Sequence, residues 1–196
     1  MSSPFRAIID LALNSALLGV FVIGTAIASP EEACGGSSTP SPLKPFAVLD
    51  FELTGDVGGS GFEAGHRQRL QMASARLRDE LGRSHLYNIV DNAPATALIE
   101  RLSSEQHLHH CNGCELDIAK QLNADQVLVP WVYRVSNLVL TMHVAIRDVA
   151  TGRTIMKKAL DFRGDNDTGW TRAIAYLIRD MKEQAARRSK TQTEIE

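Results

Sequence analysis

The sequence predicts a single α/β domain in which one mixed β-sheet of about five strands is covered by helices. Segments that alternate between apolar and polar residues are interleaved with segments whose apolar residues recur at helical spacing. The chain has 196 residues, 44% of them hydrophobic, which is the size and apolar content of one globular domain. The elements follow the order β-α-β-α-α-β-β-β-α. We therefore expect parallel pairing among the early strands and an antiparallel meander of the last three.

The first half of the domain opens with a strand and a long helix. Residues 46–53 favour β-structure and are apolar on both faces at their start, which predicts a strand in the centre of the sheet. A glycine-rich loop follows, and apolar residues at helical spacing predict an amphipathic helix over 63–82. The remaining elements of this half are a short strand and two short helices, at 87–91, 93–105 and 114–122.

The second half contains three strands and a final helix. Residues 138–147 alternate strictly between apolar and polar side chains, so this strand should bury one face. Its neighbours are predicted at 126–135 and 155–162. The last helix carries Trp170 on its apolar stripe, which predicts a core position. The polar segment 165–167 precedes that helix and offers capping side chains, with a cation site as the alternative.

Both ends of the chain are expected to lie outside the domain, which spans 45–189. Residues 1–28 combine Arg6 with an apolar run that ends in small residues, a pattern typical of a cleaved export signal. An uncleaved membrane anchor is the alternative. Residues 29–44 are rich in Pro, Gly and Ser and predict a flexible linker, and residues 190–196 predict a disordered tail. We expect an exported protein with no stable membrane insertion once the signal is cleaved.

The charge balance excludes one class of function. The chain has 21 Lys and Arg residues against 23 Asp and Glu residues, and its net charge is −2. A surface that binds nucleic acid has an excess of basic residues. We therefore expect no nucleic-acid partner.

Cys111 and Cys114 form a CxxC pair, the sharpest motif in the sequence. Such a pair can form a disulfide, act as a redox dithiol or supply half of a metal site. In an exported protein a disulfide is the default. Glu115 and Asp117 place negative charge beside the thiols, which opposes the low thiol pKa of a redox centre. Cys34 leaves one cysteine unpaired, and a Cys34-linked dimer is one consequence.

His107, His109 and His110 precede the CxxC pair and complete an HxHHCxxC pattern that suits zinc or copper. Ligands so close in sequence rarely surround one ion without help from elsewhere, and the other histidines show no spacing that supplies it. We therefore predict no cofactor and no metal, with these three histidines as weak candidate ligands. A redox or metal-handling role of His107–Cys114 is the alternative function.

Two further segments are weak candidates for chemistry. The loop Gly55–Gly61 partly matches a dinucleotide fingerprint, but extra residues separate it from the preceding strand, so a lid over a small ligand is a weaker hypothesis. Asp50 and Glu52 share a strand face without a partner histidine, which favours pairing with nearby arginines over acid–base catalysis. We expect no catalytic residue in the chain.

Trp131 is a candidate anchor for a protein partner. It follows Pro130 within a predicted strand, and proline there indicates a strand edge or a bulge. An exposed tryptophan at such a position could dock into a partner.

Five short blocks stand out between Phe46 and Met181. They are Cys111–Glu115, Asn123–Asp125, Arg134–Leu138, Ile146–Asp148 with Thr151-Gly152, and Asp161–Asp167 with Trp170. In this order the blocks resemble a family of exported proteobacterial proteins of unknown function. More distantly, the strand order and residues 124–129 resemble the N-terminal domain of the Tol–Pal β-propeller protein and the curli-secretion lipoproteins. The resemblance implies a periplasmic accessory or interaction domain with an envelope or periplasmic protein as partner. It implies no enzyme.

Overall fold

The computed structural model describes residues 43–193, which belong to one compact unit. The predicted export signal, most of the predicted linker and Cys34 lie outside the described residues. Within residues 43–193, no helix is both long enough and apolar enough to span a bilayer.

The described residues form six strands and four α-helices. The strands are β1 (Pro45–Val48), β2 (Glu52–Gly55), β3 (Asn88–Ile89), β4 (Gln126–Arg134), β5 (Val139–Asp148) and β6 (Thr154–Arg163). The helices are α1 (Glu63–Arg83), α2 (Thr96–Glu105), α3 (Cys114–Gln121) and α4 (Asp167–Thr193), with 3₁₀ turns at Ser60–Phe62 and Ala93–Ala95.

All six strands belong to one mixed sheet, as predicted. The strand order is β3-β1-β4-β5-β6, and β2 pairs with β4 beyond the end of β1. Strand β1 is parallel to β3 and β4, whereas β4, β5 and β6 form the predicted antiparallel meander. Helix-linked strands are therefore parallel and the hairpin-linked strands antiparallel, as short connections require.

The single strand predicted over 46–53 is wrong, because a bulge divides it into β1 and β2. Val48 pairs with Leu128, but Glu52 pairs with Trp131, so the chain between these pairs has one residue more than β4 has. An extra residue turns the side chains that follow it to the other side of the strand. The break therefore decides which way Glu52 points.

Pro130 lies in β4 opposite this bulge. A proline cannot donate to a neighbouring strand, and in a central strand it needs a place where no donor is required. The bulge lies in the neighbouring chain between β1 and β2, while the pairing of β4 with β5 is continuous through Pro130. The alternative of an edge strand is wrong, since β4 has partners on both sides. Side chains satisfy the interrupted backbone: Ser74 Oγ accepts from Phe51 N at 2.9 Å, and Arg78 and Asn92 both donate to Val48 O.

The two faces of the sheet are covered unequally. Helices α1 and α4 pack on one face over the larger apolar core, which includes Phe46, Leu128 and Trp170. The other face carries a smaller core beneath α2 and α3, and on β4 this core extends only as far as Val129. Beyond that point the outward side chains of β4, β5 and β6 are not covered by a helix. We call this region the open face: Trp131, Tyr133, Thr141, His143, Lys157, Ala159 and Asp161.

Helix α4 begins at a capping turn and is longer than the sequence predicts. Asn166 Oδ1 accepts the backbone N–H of Gly169 at 3.0 Å, which confirms a capping side chain in the polar segment before the helix. A Cβ at Gly169 would lie 2.3 Å from Gly164 O, so the turn requires glycine there. The helix continues to Thr193 and so enters the segment that the sequence predicts as a disordered tail.

Candidate functional site

Glu52 and two side chains of the open face form one row across the sheet. Glu52 in β2 lies beside Trp131 in β4, and Trp131 lies beside His143 in β5. Directly paired residues on one face of a sheet have neighbouring side chains, so the strand register alone brings these three together. Tyr133 occupies the next row, paired with Thr141.

The carboxylate of Glu52 holds the histidine loop, residues 106–113, against the sheet. Oε1 accepts the backbone N–H of Leu108 at 2.7 Å, and Oε2 accepts the backbone N–H of His109 at 3.1 Å. His109 Nδ1 also lies within hydrogen-bond distance of Glu52 Oε2, at 2.5 Å, and the His109 side chain is only 5% exposed. Leu108 completes the attachment by entering the smaller core. The loop is therefore an ordered part of the site.

Trp131 is stacked between two imidazoles. Its ring lies 5.0 Å from that of His109 at an interplanar angle of 14°, and 4.9 Å from that of His143 at 7°. Trp131 is half-buried by these contacts rather than freely exposed. The predicted anchor residue thus forms the centre of a rigid three-ring stack.

The environment of His143 favours its neutral form. Burial first, and then the positive charges of Lys157 and His109, hold the pKa of His143 below its ordinary value, against the opposing effect of Asp161. A neutral imidazole presents one donor and one acceptor at its edge. The outer end of the stack is therefore a hydrogen-bonding group without charge at neutral pH.

A cleft of about 550 Å³ opens over the stack. We call it the aromatic cleft; it is lined by Thr54, Gln106, His107, His109, His110, Trp131, Tyr133 and His143. Tyr133 stands at its rim with 48% of its surface exposed. The cleft thus combines broad ring surfaces with imidazole and hydroxyl groups at their edges.

Cys111 and Cys114 lie at the far end of the histidine loop, with their sulfurs within bonding distance and their Cα atoms 5.7 Å apart. This separation lies within the range found for disulfides. Cys111 is buried, and Cys114 is the first residue of α3. Glu115, predicted to add negative charge beside the sulfurs, is itself buried and paired with Arg147.

Asp165 centres a second polar cluster, which the sequence did not predict as one. Its carboxylate accepts hydrogen bonds from Arg134 Nε at 2.8 Å, Arg69 at 3.0 Å and the Trp170 indole at 3.1 Å, with His66 at 3.4 Å. Burial by itself raises the pKa of Asp165. The hydrogen bonds from Arg134 and Trp170 and the charges of Arg69 and His66 lower the pKa by more than burial raises it, so it lies below its ordinary value. This cluster is closed and holds β4, α1 and α4 together.

The structure separates the two carboxylates that were predicted to share a strand face. Asp50 lies in the bulge and pairs with Arg78 of α1 at 2.7 Å, as expected for a carboxylate with an arginine nearby. Glu52 follows the bulge and pairs with His109 instead. The sequence pattern does not reveal the extra residue of the bulge, because that residue is seen only when β1 and β2 are paired with β4.

Residues 44–181 match a family described as "Protein of unknown function (DUF2380)". The chain belongs to this family. The match confirms the predicted membership of a family of unknown function, and the matched residues include the whole aromatic cleft. The five sequence blocks as a signature of that family stay a prediction. None of the curated proteins matches the chain.

Three solved structures with a similar fold come from different bacteria. The LpoB C-terminal domain from Escherichia coli is 17% identical, with a TM-score of 0.45 over 60% of this chain and 81% of that one. The PelC dodecamer from Paraburkholderia phytofirmans is 17% identical, with a TM-score of 0.41 over 69% and 81%. TolB from Acinetobacter baumannii is 11% identical, with a TM-score of 0.42 over 71% and 27%. At these values the matches carry no argument about function, and the predicted links to Tol–Pal and curli proteins stay predictions.

Proposed function

We propose that this protein is an exported, non-catalytic interaction domain of the bacterial cell envelope, and that it contacts its partner protein through the aromatic cleft. The observation that carries this proposal is the uncovered half of the sheet around Trp131 and Tyr133. Helices cover the opposite face and the rest of this one, so the open face is where β4 presents large side chains to solvent.

The composition of the cleft suits protein recognition. Tyrosine and tryptophan provide large contact areas with few rotatable bonds, and they are enriched among residues that dominate binding energy. The stacking of Trp131 between His109 and His143 fixes its position before any partner binds. A preorganised surface loses little side-chain entropy on association.

The charges beside the cleft indicate what kind of segment binds there. Lys157 and Arg163 lie on β6 and are exposed, and among the described residues no carboxylate lies within ion-pair distance of either. The nearby Asp161 accepts a hydrogen bond from Thr141 at 2.6 Å. Unpaired positive charge next to ring surfaces favours an acidic partner segment with an apolar or aromatic side chain.

The acid–base groups of the site support a non-catalytic role. Both oxygens of Glu52 already accept hydrogen bonds from the histidine loop, and both oxygens of Asp165 are engaged in the closed cluster. These hydrogen bonds do not exhaust the acceptor capacity of a carboxylate, but they hold both groups toward the domain rather than toward a substrate in solution.

The alternative function, redox or metal handling by His107–Cys114, divides into two parts. The buried position of Cys111 favours a structural disulfide over an exchanging dithiol, because exchange needs access to the sulfur. His107 and His109 form a donor group with Glu52 instead of with the sulfurs.

Oxidative footprinting tests the proposed contact surface. Hydroxyl radicals modify exposed tyrosines, and Tyr133 and Tyr176 form a matched pair, at 48% and 52% exposure on opposite sides of the sheet. We expect several-fold less oxidation of Tyr133 in isolated cell envelopes than in purified protein, with Tyr176 unchanged. A Lys157→Glu variant should lose that protection. Equal oxidation of Tyr133 in both samples, or protection of Tyr176 alone, would contradict the proposal.

A further inference from the structure

We propose that Glu52, His107 and His109 form a binding site for a divalent transition-metal ion, with Zn²⁺ and Cu²⁺ as the best-suited ions. One ligand atom from each of these residues lies within 4.8 Å of the others. The donors come from β2 and from the histidine loop, 55 or more positions apart in sequence. The site shares His107 and His109 with the aromatic cleft, but the proposal rests on the positions of the donor atoms and not on the proposed function.

The observed distances are close to those that an ion requires. With bonds of about 2.0–2.2 Å, two ligands of a tetrahedral Zn²⁺ ion lie about 3.4 Å apart. His107 Nδ1 lies 3.7 Å from Glu52 Oε1, and His109 Nδ1 lies 2.5 Å from Glu52 Oε2. The His107 distance is thus close to that requirement, whereas an ion between His109 and Glu52 would replace their hydrogen bond and move the two atoms about 0.9 Å apart.

Two of the donors are held in place and the third is free to adjust. The Glu52 carboxylate is fixed by two backbone N–H groups, and the His109 ring is buried against Trp131. The His107 side chain is 58% exposed, so it can rotate to close the site with little effect on packing. Preorganised donors reduce the cost of binding, and the mobile one provides an entry path.

The donor set selects the class of ion. Two imidazoles and one carboxylate suit Zn²⁺, Cu²⁺ and related ions rather than Ca²⁺ or Mg²⁺, which prefer oxygen ligands. Because His107 and His109 both line the aromatic cleft, water or an added ligand would have access to a bound ion from that side. The set differs from the HxHHCxxC pattern in the sequence, because Cys111 and Cys114 are within bonding distance of each other and a disulfide offers no thiolate to a metal.

Zinc titration of tag-free protein tests the site, since a polyhistidine tag would itself bind the ion. Isothermal titration calorimetry should give one Zn²⁺ per chain, and Zn²⁺ should raise the melting temperature. His107→Ala should weaken binding at least about tenfold, as expected for the loss of one ligand. The matched control is His85→Asn, which removes an exposed histidine at a left-handed position that asparagine tolerates.

Cu²⁺ provides a second readout that does not depend on affinity. The electron paramagnetic resonance spectrum of the 1:1 Cu²⁺ complex should show coupling to two imidazole nitrogens in the wild type and to one in His107→Ala. The proposal is overturned if the wild type takes up no stoichiometric Zn²⁺, or if His107→Ala and His85→Asn bind it equally. It is also overturned if both variants give the wild-type Cu²⁺ spectrum. Circular dichroism of each variant establishes that the fold is intact.

Discussion

Glu52 and Asp165 each accept several hydrogen bonds through their carboxylates, but the two residues have different structural roles. The donors around Asp165 come from β4, α1 and α4, and they enclose it on all sides. The donors around Glu52 come from one loop, and the far side of that loop faces the aromatic cleft. Hydrogen bonds to a carboxylate thus hold secondary-structure elements together at Asp165, whereas at Glu52 they position a loop that lines a surface cleft. Enclosure, not the number of bonds, distinguishes a structural cluster from a site.

Removing the enclosed carboxylate should have the largest effect on stability. Arg134 is buried, with 5% of its side chain exposed, and Asp165 is its main counter-charge. Asp165→Ala leaves that charge uncompensated, which costs about 3–5 kcal/mol of unfolding free energy. Urea unfolding followed by circular dichroism measures the loss.

The matched control for this variant is Asp167→Ala, since Asp167 is 79% exposed and its carboxylate forms a surface ion pair with Arg69 at 3.2 Å. It should change stability little. Because the pKa of Asp165 is lowered in the folded state, its contribution is present above the unfolded pKa, about 3.9, and is lost as pH falls through the folded pKa. The gap between wild type and Asp165→Ala should therefore shrink below about pH 4. Equal losses for the two variants at pH 7 would show that the cluster is not the structural lock.

Removing the disulfide between Cys111 and Cys114 should have the next largest effect on stability. A loop of four residues, 111–114, gives about 2 kcal/mol in the chain-entropy account of disulfide stabilisation. Cys111→Ser with Cys114→Ser should lower the free energy of unfolding by about that amount, while partner binding is largely retained. Loss of binding with unchanged stability would instead place the pair in the functional surface.

Removing the charge of Glu52 should increase the mobility of the histidine loop more than it lowers the stability of the domain. Glu52→Gln replaces a charged acceptor by a neutral one, and we expect a loss of about 1–2 kcal/mol. Hydrogen exchange should show faster exchange at the amides of Leu108 and His109, with α1 and α4 unaffected. Glu100→Gln, on the exposed surface of α2, is the control. Uniformly faster exchange across the domain would remove the distinction between the two clusters.

The smallest effect concerns the protonation of His143. Its pKa should lie below 6.5 in a nuclear magnetic resonance titration, and Lys157→Ala should raise it, because a neighbouring positive charge disfavours the imidazolium form. Since the neutral form is favoured on folding, any contribution to stability is present above the unfolded pKa and declines as pH falls below it. A pKa above 6.5, or one that Lys157→Ala leaves unchanged, would contradict the described environment.

Local patterns predicted the elements but not the contacts between distant segments. Strict alternation predicted β5 within one residue at each end, because a strand with one buried face repeats every two residues. The hydrogen bond between Glu52 and His109 joins residues 57 positions apart, and the ion pair between Arg134 and Asp165 joins residues 31 positions apart. Neither contact shows in a local sequence pattern. One signal was available: Arg134 falls on the buried face of β4, where a charge requires a partner.

The most direct test of the central claim is site-specific photo-crosslinking in living cells. A photoreactive phenylalanine derivative replaces Tyr133 in one strain and Tyr176 in another, and both chains retain their full sequence. The account predicts a discrete envelope-protein adduct at position 133, whose crosslinked peptide is acidic and carries an apolar or aromatic residue, and no adduct at position 176. Adducts of equal yield at both positions, or one at position 176 alone, would contradict it.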